Sequence, residues 1–116
     1  MDCTASTACR TNANITSSVG TIRISVTPTV LTAAAKQKVA MELNAYPDRL
    51  DLNDVHLRQA KQHGVKIVIN TDSHHTSHME KLRYGVTQAR RAWLTKEDVL
   101  NTLPTAKFAK AMKHQW

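Results

Sequence analysis

Asp72 and His74 stand two residues apart where the apolar run Val65-Lys66-Ile67-Val68-Ile69-Asn70 gives way to a polar loop. A carboxylate and an imidazole that converge at the mouth of a buried strand suit a divalent transition cation such as Zn²⁺, Mn²⁺ or Fe²⁺. Such a cation activates water and polarises a phosphoryl oxygen. In an extended segment, residues two apart project to the same side, which would aim both groups at one ion. Spacing alone leaves a plainer alternative open: a loop aspartate capping the next helix, beside an exposed histidine. His75 and His78 enrich the same loop and read as polar surface residues. His56 and His63 fall on or beside the preceding helix, where surface or packing roles are expected, and His114 lies near the end of the chain as a solvent-exposed residue.

The elements that would position this pair follow from pattern. Val65 to Asn70 is β-branched and apolar, as expected of a strand buried on both faces of a parallel sheet. Ahead of it, Asn53 to His63 places Val55, Leu57 and Ala60 at near-helical spacing, with an N-cap among Asp51-Leu52-Asn53-Asp54 and Gly64 as the stop. Val39 to Asn44 is a short apolar run of strand length, and Pro47-Asp48 puts Ala45 to Leu52 in a loop. Strand, helix, glycine, strand is a βαβ unit. In parallel α/β folds functional groups gather at the C-terminal ends of strands, and Asp72 and His74 lie at such an end.

Flanking elements are less regular. Leu31 to Lys38 reads as the last turns of a helix. Ser77 to Tyr84 or a little beyond reads as a helix after the His-rich loop. Thr95 and Asp98 fit a capping box for a helix to about Asn101, and Pro104 fits the first position of a final amphipathic helix. Thr21 to Thr27 alternates as a short strand that Pro28 ends or edges, and residues 1–20 otherwise read as a flexible tail.

Composition bounds the class. The chain has 116 residues, enough for one small domain, and a net charge of +7. Basic charge favours phosphate-bearing partners, but Lys and Arg are scattered rather than gathered into a tail. Cys3 and Cys9 have no zinc-type spacing and read as free thiols. No apolar run is long enough for a membrane helix and no signal peptide is evident, so a cytoplasmic protein is expected. Composition shifts near residue 32: residues 1–32 are Thr/Ser-rich with little charge, and residues 33–116 carry every histidine.

Several stretches together resemble one family. They are Met41-Glu42-Leu43-Asn44-Ala45-Tyr46-Pro47-Asp48-Arg49-Leu50-Asp51-Leu52-Asn53-Asp54, Gly64 to His74, Leu82-Arg83-Tyr84-Gly85-Val86, Ala89-Arg90-Arg91-Ala92-Trp93-Leu94 and Asp98 to Pro104. Over residues 33–116 the chain resembles the C-terminal PHP (polymerase and histidinol phosphatase) domain of bacterial family X DNA polymerases. The resemblance implies a fold class of α/β type: part of a distorted (β/α)7 barrel, made of a βαβ unit with parallel strands followed by C-terminal helices. It implies metal-dependent phosphoesterase chemistry of the 3′–5′ exonuclease kind, a divalent cofactor (Mn, Zn or Fe) in the complete domain, and nucleic acid as partner of the complete protein. By motif, Asp72 and His74 match the last metal ligands. Asn44 and Arg49 match positions near the same mouth, where substrate or structural roles are implied, Arg49 being suited to a phosphate.

The family builds its centre from earlier strands, beginning with an H-x-H motif, and residues 1–32 contain no histidine. The chain is therefore expected to be a fragment, natural or arising from a misread gene, that is inactive alone and can pair with another chain through open sheet edges. The alternative is a non-catalytic, basic nucleic-acid-binding or protein-interaction module.

Overall fold

The computed structural model describes residues 26–113 and, ahead of them, the strands β1 (Ala8–Cys9), β2 (Ile15–Ser17) and β3 (Gly20–Ile22). There follow α1 (Pro28–Gln37), β4 (Ala40–Asn44), α2 (Asp54–Gln62), β5 (Ile67–Asn70), α3 (Leu82–Arg91) and α4 (Thr105–Ala111). Single 3-10 segments precede α3 (Thr76–Lys81) and α4 (Leu100–Thr102). The architecture is mixed α/β. The tail reading of residues 1–20 and the readings of Cys3 and His114 lie wholly or partly outside the described residues, although β1, β2 and part of β3 form within that stretch.

Local chemistry explains the helix starts. Thr27 accepts a hydrogen bond from the Val30 amide on its Oγ1 at 3.3 Å, and Pro28, with its fixed φ, occupies the first helical turn. Pro28 therefore opens a helix rather than edging a strand; of the alternation over 21–27, Thr21 and Ile22 fall in β3, and residues 23–25 lie outside the described residues. The composition change at residue 32 falls within α1. Asn53 caps α2 through Oδ1 to the His56 amide at 2.9 Å, and Gly64, with φ +77°, turns the chain out of it as the sequence predicts.

β4 and β5 pair in parallel, with Met41 opposite Ile67 and Asn44 opposite Asn70, and β1 pairs in parallel with β4 on its other side. Alternation gives the β4–β5 pair two unlike faces. Met41, Leu43, Ile67 and Ile69 join Leu31, Leu57, Ala60, Ala89 and Ala92 in the main core beneath the helices. Ala40 and Val68 meet Leu100 and Ala111 on the opposite face, with Phe108 of α4 alongside. Glu42, Asn44 and Asn70 share that second face by register, and both Glu42 and Asn44 are buried. The side-chain amide of Asn70 donates to the Glu42 carboxylate at 3.2 Å.

The outer edge of β5, left open in the sequence reading, is closed from within the chain. Ile67 pairs with Val99 in a parallel bridge and donates its amide to the Asp98 carbonyl at 2.8 Å. One step along, the Asn101 side chain stands in for a strand: Oδ1 accepts from the Ile69 amide at 2.8 Å and Nδ2 donates to the Ile69 carbonyl at 3.0 Å. Replacing Asn101 with alanine removes both partners of a backbone unit whose side chain is buried. The expected loss is about 1–3 kcal/mol of unfolding free energy in urea.

Thr95 and Asp98 make half of the expected capping box: Asp98 Oδ2 accepts from the Thr95 amide at 2.8 Å and its hydroxyl at 3.0 Å, while the Asp98 amide donates to the Thr95 carbonyl at 3.0 Å rather than to the hydroxyl. No helix follows. The turn leads straight to the Val99 bridge because β5 takes the backbone for edge pairing. Pro104 likewise sits just before α4 rather than inside it. Asp98 also pairs with the Lys61 ammonium of α2 at 3.1 Å. Burial pushes its carboxyl up, but the hydrogen bonds from Thr95 and Lys61 and the Lys61 charge together outweigh that and hold it below its ordinary 3.8. A carboxylate held low in the fold stabilises above its unfolded pKa, and that stabilisation is lost as pH falls through the folded value. Asp98→Asn is therefore expected to cost about 1–2 kcal/mol at neutral pH, and less below about pH 4. Denaturation midpoints from pH 7 down to pH 3 check this.

Candidate metal-binding site

β4 and β5 end side by side, and the chain leaves both at one mouth. After β4, the Ala45 amide extends the ladder to the Asn70 carbonyl at 2.7 Å. Asn44 Oδ1 then accepts the Tyr46 amide at 2.9 Å, and the Tyr46 carbonyl accepts the amides of Arg49 and Leu50. Asn44, buried, thus shapes the turn that carries Tyr46. Arg49 lies exposed on that turn. Its charge and that of His56 pull the Asp51 carboxyl down, yet partial burial prevails and raises it. The structure therefore places Asn44 as a loop-fixing side chain and Arg49 as a solvent-facing cation beside Asp51.

After β5 the chain does not stay extended. Asp72 takes a left-handed backbone with φ +51°, a conformation that Asp tolerates better than most residues. The expectation that Asp72 and His74 align by simple strand alternation is corrected here: a turn, not a pleat, relates them. The turn is held by the His74 imidazole itself, whose Nδ1 lies 2.8 Å from the Asp72 carbonyl oxygen. A carbonyl only accepts, so Nδ1 carries the proton and the lone pair rests on Nε2. A metal-ligating histidine is set up in this way, its other ring nitrogen donating to a backbone carbonyl.

The neighbouring histidines are set differently. His75 Nδ1 accepts the Ser77 amide at 3.2 Å and so caps the 3-10 segment. His78 Nδ1 accepts the His74 amide at 3.2 Å. In their neutral forms both place the proton on Nε2. Of the three, only His74 presents a bare Nε2. Partial desolvation, with the charges of Lys81, His75 and His74, lowers the His78 pKa and favours the neutral ring that this contact needs.

Sequence reasoning passed over two further groups at the mouth. The Tyr46 ring meets the His78 ring edge-on, with centroids 5.6 Å apart, and the Lys81 ammonium lies 3.7 Å from the Tyr46 centroid. An aromatic two residues past a strand end, in a chain with only two tyrosines, was the available signal for Tyr46. Lys81 had none.

The donor chemistry at Asp72 and His74 fits part of a divalent-cation centre. It does not fit a whole one: among the described residues, no group of three or more His, Cys, Asp or Glu side chains is gathered to hold a metal ion. No helix of the described residues is long and apolar enough to cross a membrane.

Comparison with known proteins agrees with the resemblance drawn from the motifs. The chain is 47% identical over 68 residues to the DNA polymerase/3'-5' exonuclease PolX of Bacillus subtilis (strain 168). The match covers 59% of this chain and 12% of that protein, so the chain spans only a small part of its relative's length. No family model matches.

Proposed function

We propose that residues 33–116 form the C-terminal part of a PHP-type, metal-dependent phosphoesterase domain of the 3′–5′ exonuclease kind, with Asp72 and His74 as two of its metal ligands. The observation that carries this is the 47% identity to a polymerase/3'-5' exonuclease. The protonation of His74, set by the Asp72 carbonyl, supports it. β4 and β5 would be neighbouring strands of a barrel wall. The C-terminal end of the second face, bearing Glu42, Asn44 and Asn70, would line its interior beyond the Ala40 and Val68 patch that α4 packs against, and the apolar face would lie under α1, α2 and α3. A divalent cation (Mn, Zn or Fe) would supply an activated water and neutralise charge on a phosphodiester. The chain's own part is to hold His74 in the ligating tautomer and to carry Arg49 on the rim, within reach of a phosphate. DNA would be the partner of the complete domain, and a cytoplasmic location goes with that reading.

The remaining ligands would come from the rest of the barrel. The test is to mix this chain with the complementary part of a PolX exonuclease domain and follow Mn²⁺-dependent release of nucleotides from a labelled 3′ end. Activity in the mixture, and in neither part alone, is expected. A silent mixture beside an active full-length control contradicts the proposal.

One observation favours a second reading, a non-catalytic nucleic-acid-binding module. Trp93 is 71% exposed, and the Arg58 guanidinium lies 4.4 Å from its ring centroid. An exposed indole beside a cation can stack a base. Salt-sensitive DNA binding that survives Asp72→Ala but is lost in Trp93→Ala, without hydrolysis in the mixture, would select this reading.

A further inference from the structure

The loop after β5 hangs on a side chain that the metal reading leaves unused. His78 receives the His74 amide on Nδ1 at 3.2 Å, four residues along the chain. Its own amide donates to the His75 carbonyl at 3.0 Å, so the 3-10 turn that carries it is anchored one residue past His74. Its ring lies edge-on to Tyr46 at an interplanar angle of 71°. Tyr46 in turn is fixed by Asn44 at the end of β4 and covered by Lys81. The contacts form one path: β4 exit, Asn44, Tyr46, His78, His74 amide. The backbone of the candidate ligand on β5 is thereby referenced to the exit of the neighbouring strand. Left to itself, an exposed loop with a left-handed residue at Asp72 would sample many orientations, and an imidazole on it would lose affinity to that freedom.

We infer that His78 is a positioning residue: its Nδ1 and its contact with Tyr46 hold the His74 backbone so that Nε2 of His74 is presented to a divalent cation. The inference rests on the proposed metal role of His74. His78 itself takes no part in ligation, because its Nδ1 is occupied and its neutral ring carries the proton on Nε2.

Two substitutions separate the acceptor from the ring. His78→Asn keeps an acceptor oxygen near the place of Nδ1 but removes the ring. His78→Phe keeps a ring against Tyr46 but has no acceptor. The experiment is an NMR titration of the ¹⁵N-labelled full chain with Zn²⁺ alone, reading the imidazole nitrogens and the amide exchange rate of His74. In the wild type, Zn²⁺ is expected to shift His74 Nε2 and leave His78 Nε2 unshifted. In His78→Phe, His74 amide exchange is expected to quicken and the apparent Zn²⁺ affinity to fall about 10-fold or more. His78→Asn is expected to recover much of both.

The outcomes distinguish the two levels of the argument. No Zn²⁺ shift at His74 in the wild type overturns the metal role and this inference with it. Zn²⁺ binding at His74 that His78→Phe leaves unchanged, with unchanged amide exchange, overturns the positioning role alone. A Zn²⁺ shift at His78 Nε2 equal to that at His74 also overturns it, by making His78 a ligand.

Discussion

Alanine at either Asp72 or His74 is expected to lower Mn²⁺-dependent exonuclease activity of the reconstituted domain by about 10³-fold, since a catalytic cation contributes several kcal/mol to the transition state. The two substitutions are expected to be far from additive, because under the proposed ligation removing either group would unseat the same ion. His74→Ala has a further consequence. It deletes the donor that closes the turn on the Asp72 carbonyl, so Asp72 loses its orientation as well. His63→Ala is the control: His63 lies at the end of α2, with Nδ1 2.8 Å from the Gln59 carbonyl, and its loss is expected to leave activity within about twofold. Initial rates over a Mn²⁺ series check the set. Recovery of the Asp72→Ala rate at high Mn²⁺ would indicate weakened affinity rather than lost chemistry.

Gly85→Ala is expected to destabilise the fold although alanine is the better helix former. A Cβ at Gly85 would lie 2.6 Å from Ile69 Cγ2 and 2.7 Å from Ala45 Cβ, closer than such atoms approach. Ile69 is buried in β5, and Ala45 is fully buried just past β4, with its Cβ fixed to the backbone and unable to rotate away. The strain must be taken up by moving α3 off the sheet. Overpacking of this kind costs about 1–3 kcal/mol, against an intrinsic helix gain of about 1 kcal/mol. A net loss of up to about 2 kcal/mol follows from the difference, and Gly85→Val is expected to lose more. Thr87→Ala, on an exposed position of the same helix, is expected to be near neutral. Urea unfolding of the three variants checks this. Because α3 crosses both strand exits at Gly85, the alanine is also expected to disturb the mouth, visible as shifted resonances at Tyr46 and Asp72.

These two cases mark what the sequence makes legible. β5, α2 and the Gly64 stop can be read from the chain because each depends on residues a few positions apart: a β-branched run, Asn53 ahead of a helical stripe, a glycine at positive φ. Asp72 and His74 were visible because carboxylate and imidazole follow directly on that strand. Contacts between distant parts of the chain were not visible. Gly85 looks like an ordinary mid-helix glycine until α3 is laid on Ala45 and Ile69. Asn101 looks like the end of a helix until its amide meets Ile69, 32 positions away. Pro28 carries two meanings, strand end and helix start, and Thr27 decides between them by capping. The left-handed turn at Asp72 was hidden for a related reason: it is closed by a side-chain contact to the backbone, which a pattern of apolar residues does not encode.

A cation is expected to bind where β5 opens, through Asp72 and His74. Paramagnetic broadening by Mn²⁺ alone, read in ¹H–¹⁵N spectra of the intact chain, tests it most directly, because weak binding suffices. Broadening centred on Asp72, Ser73 and His74, reaching Asn70 and Tyr46 and sparing the Trp93 indole, is the predicted result. Broadening centred on His56 or His63, or none at any concentration that leaves the protein folded, would contradict it.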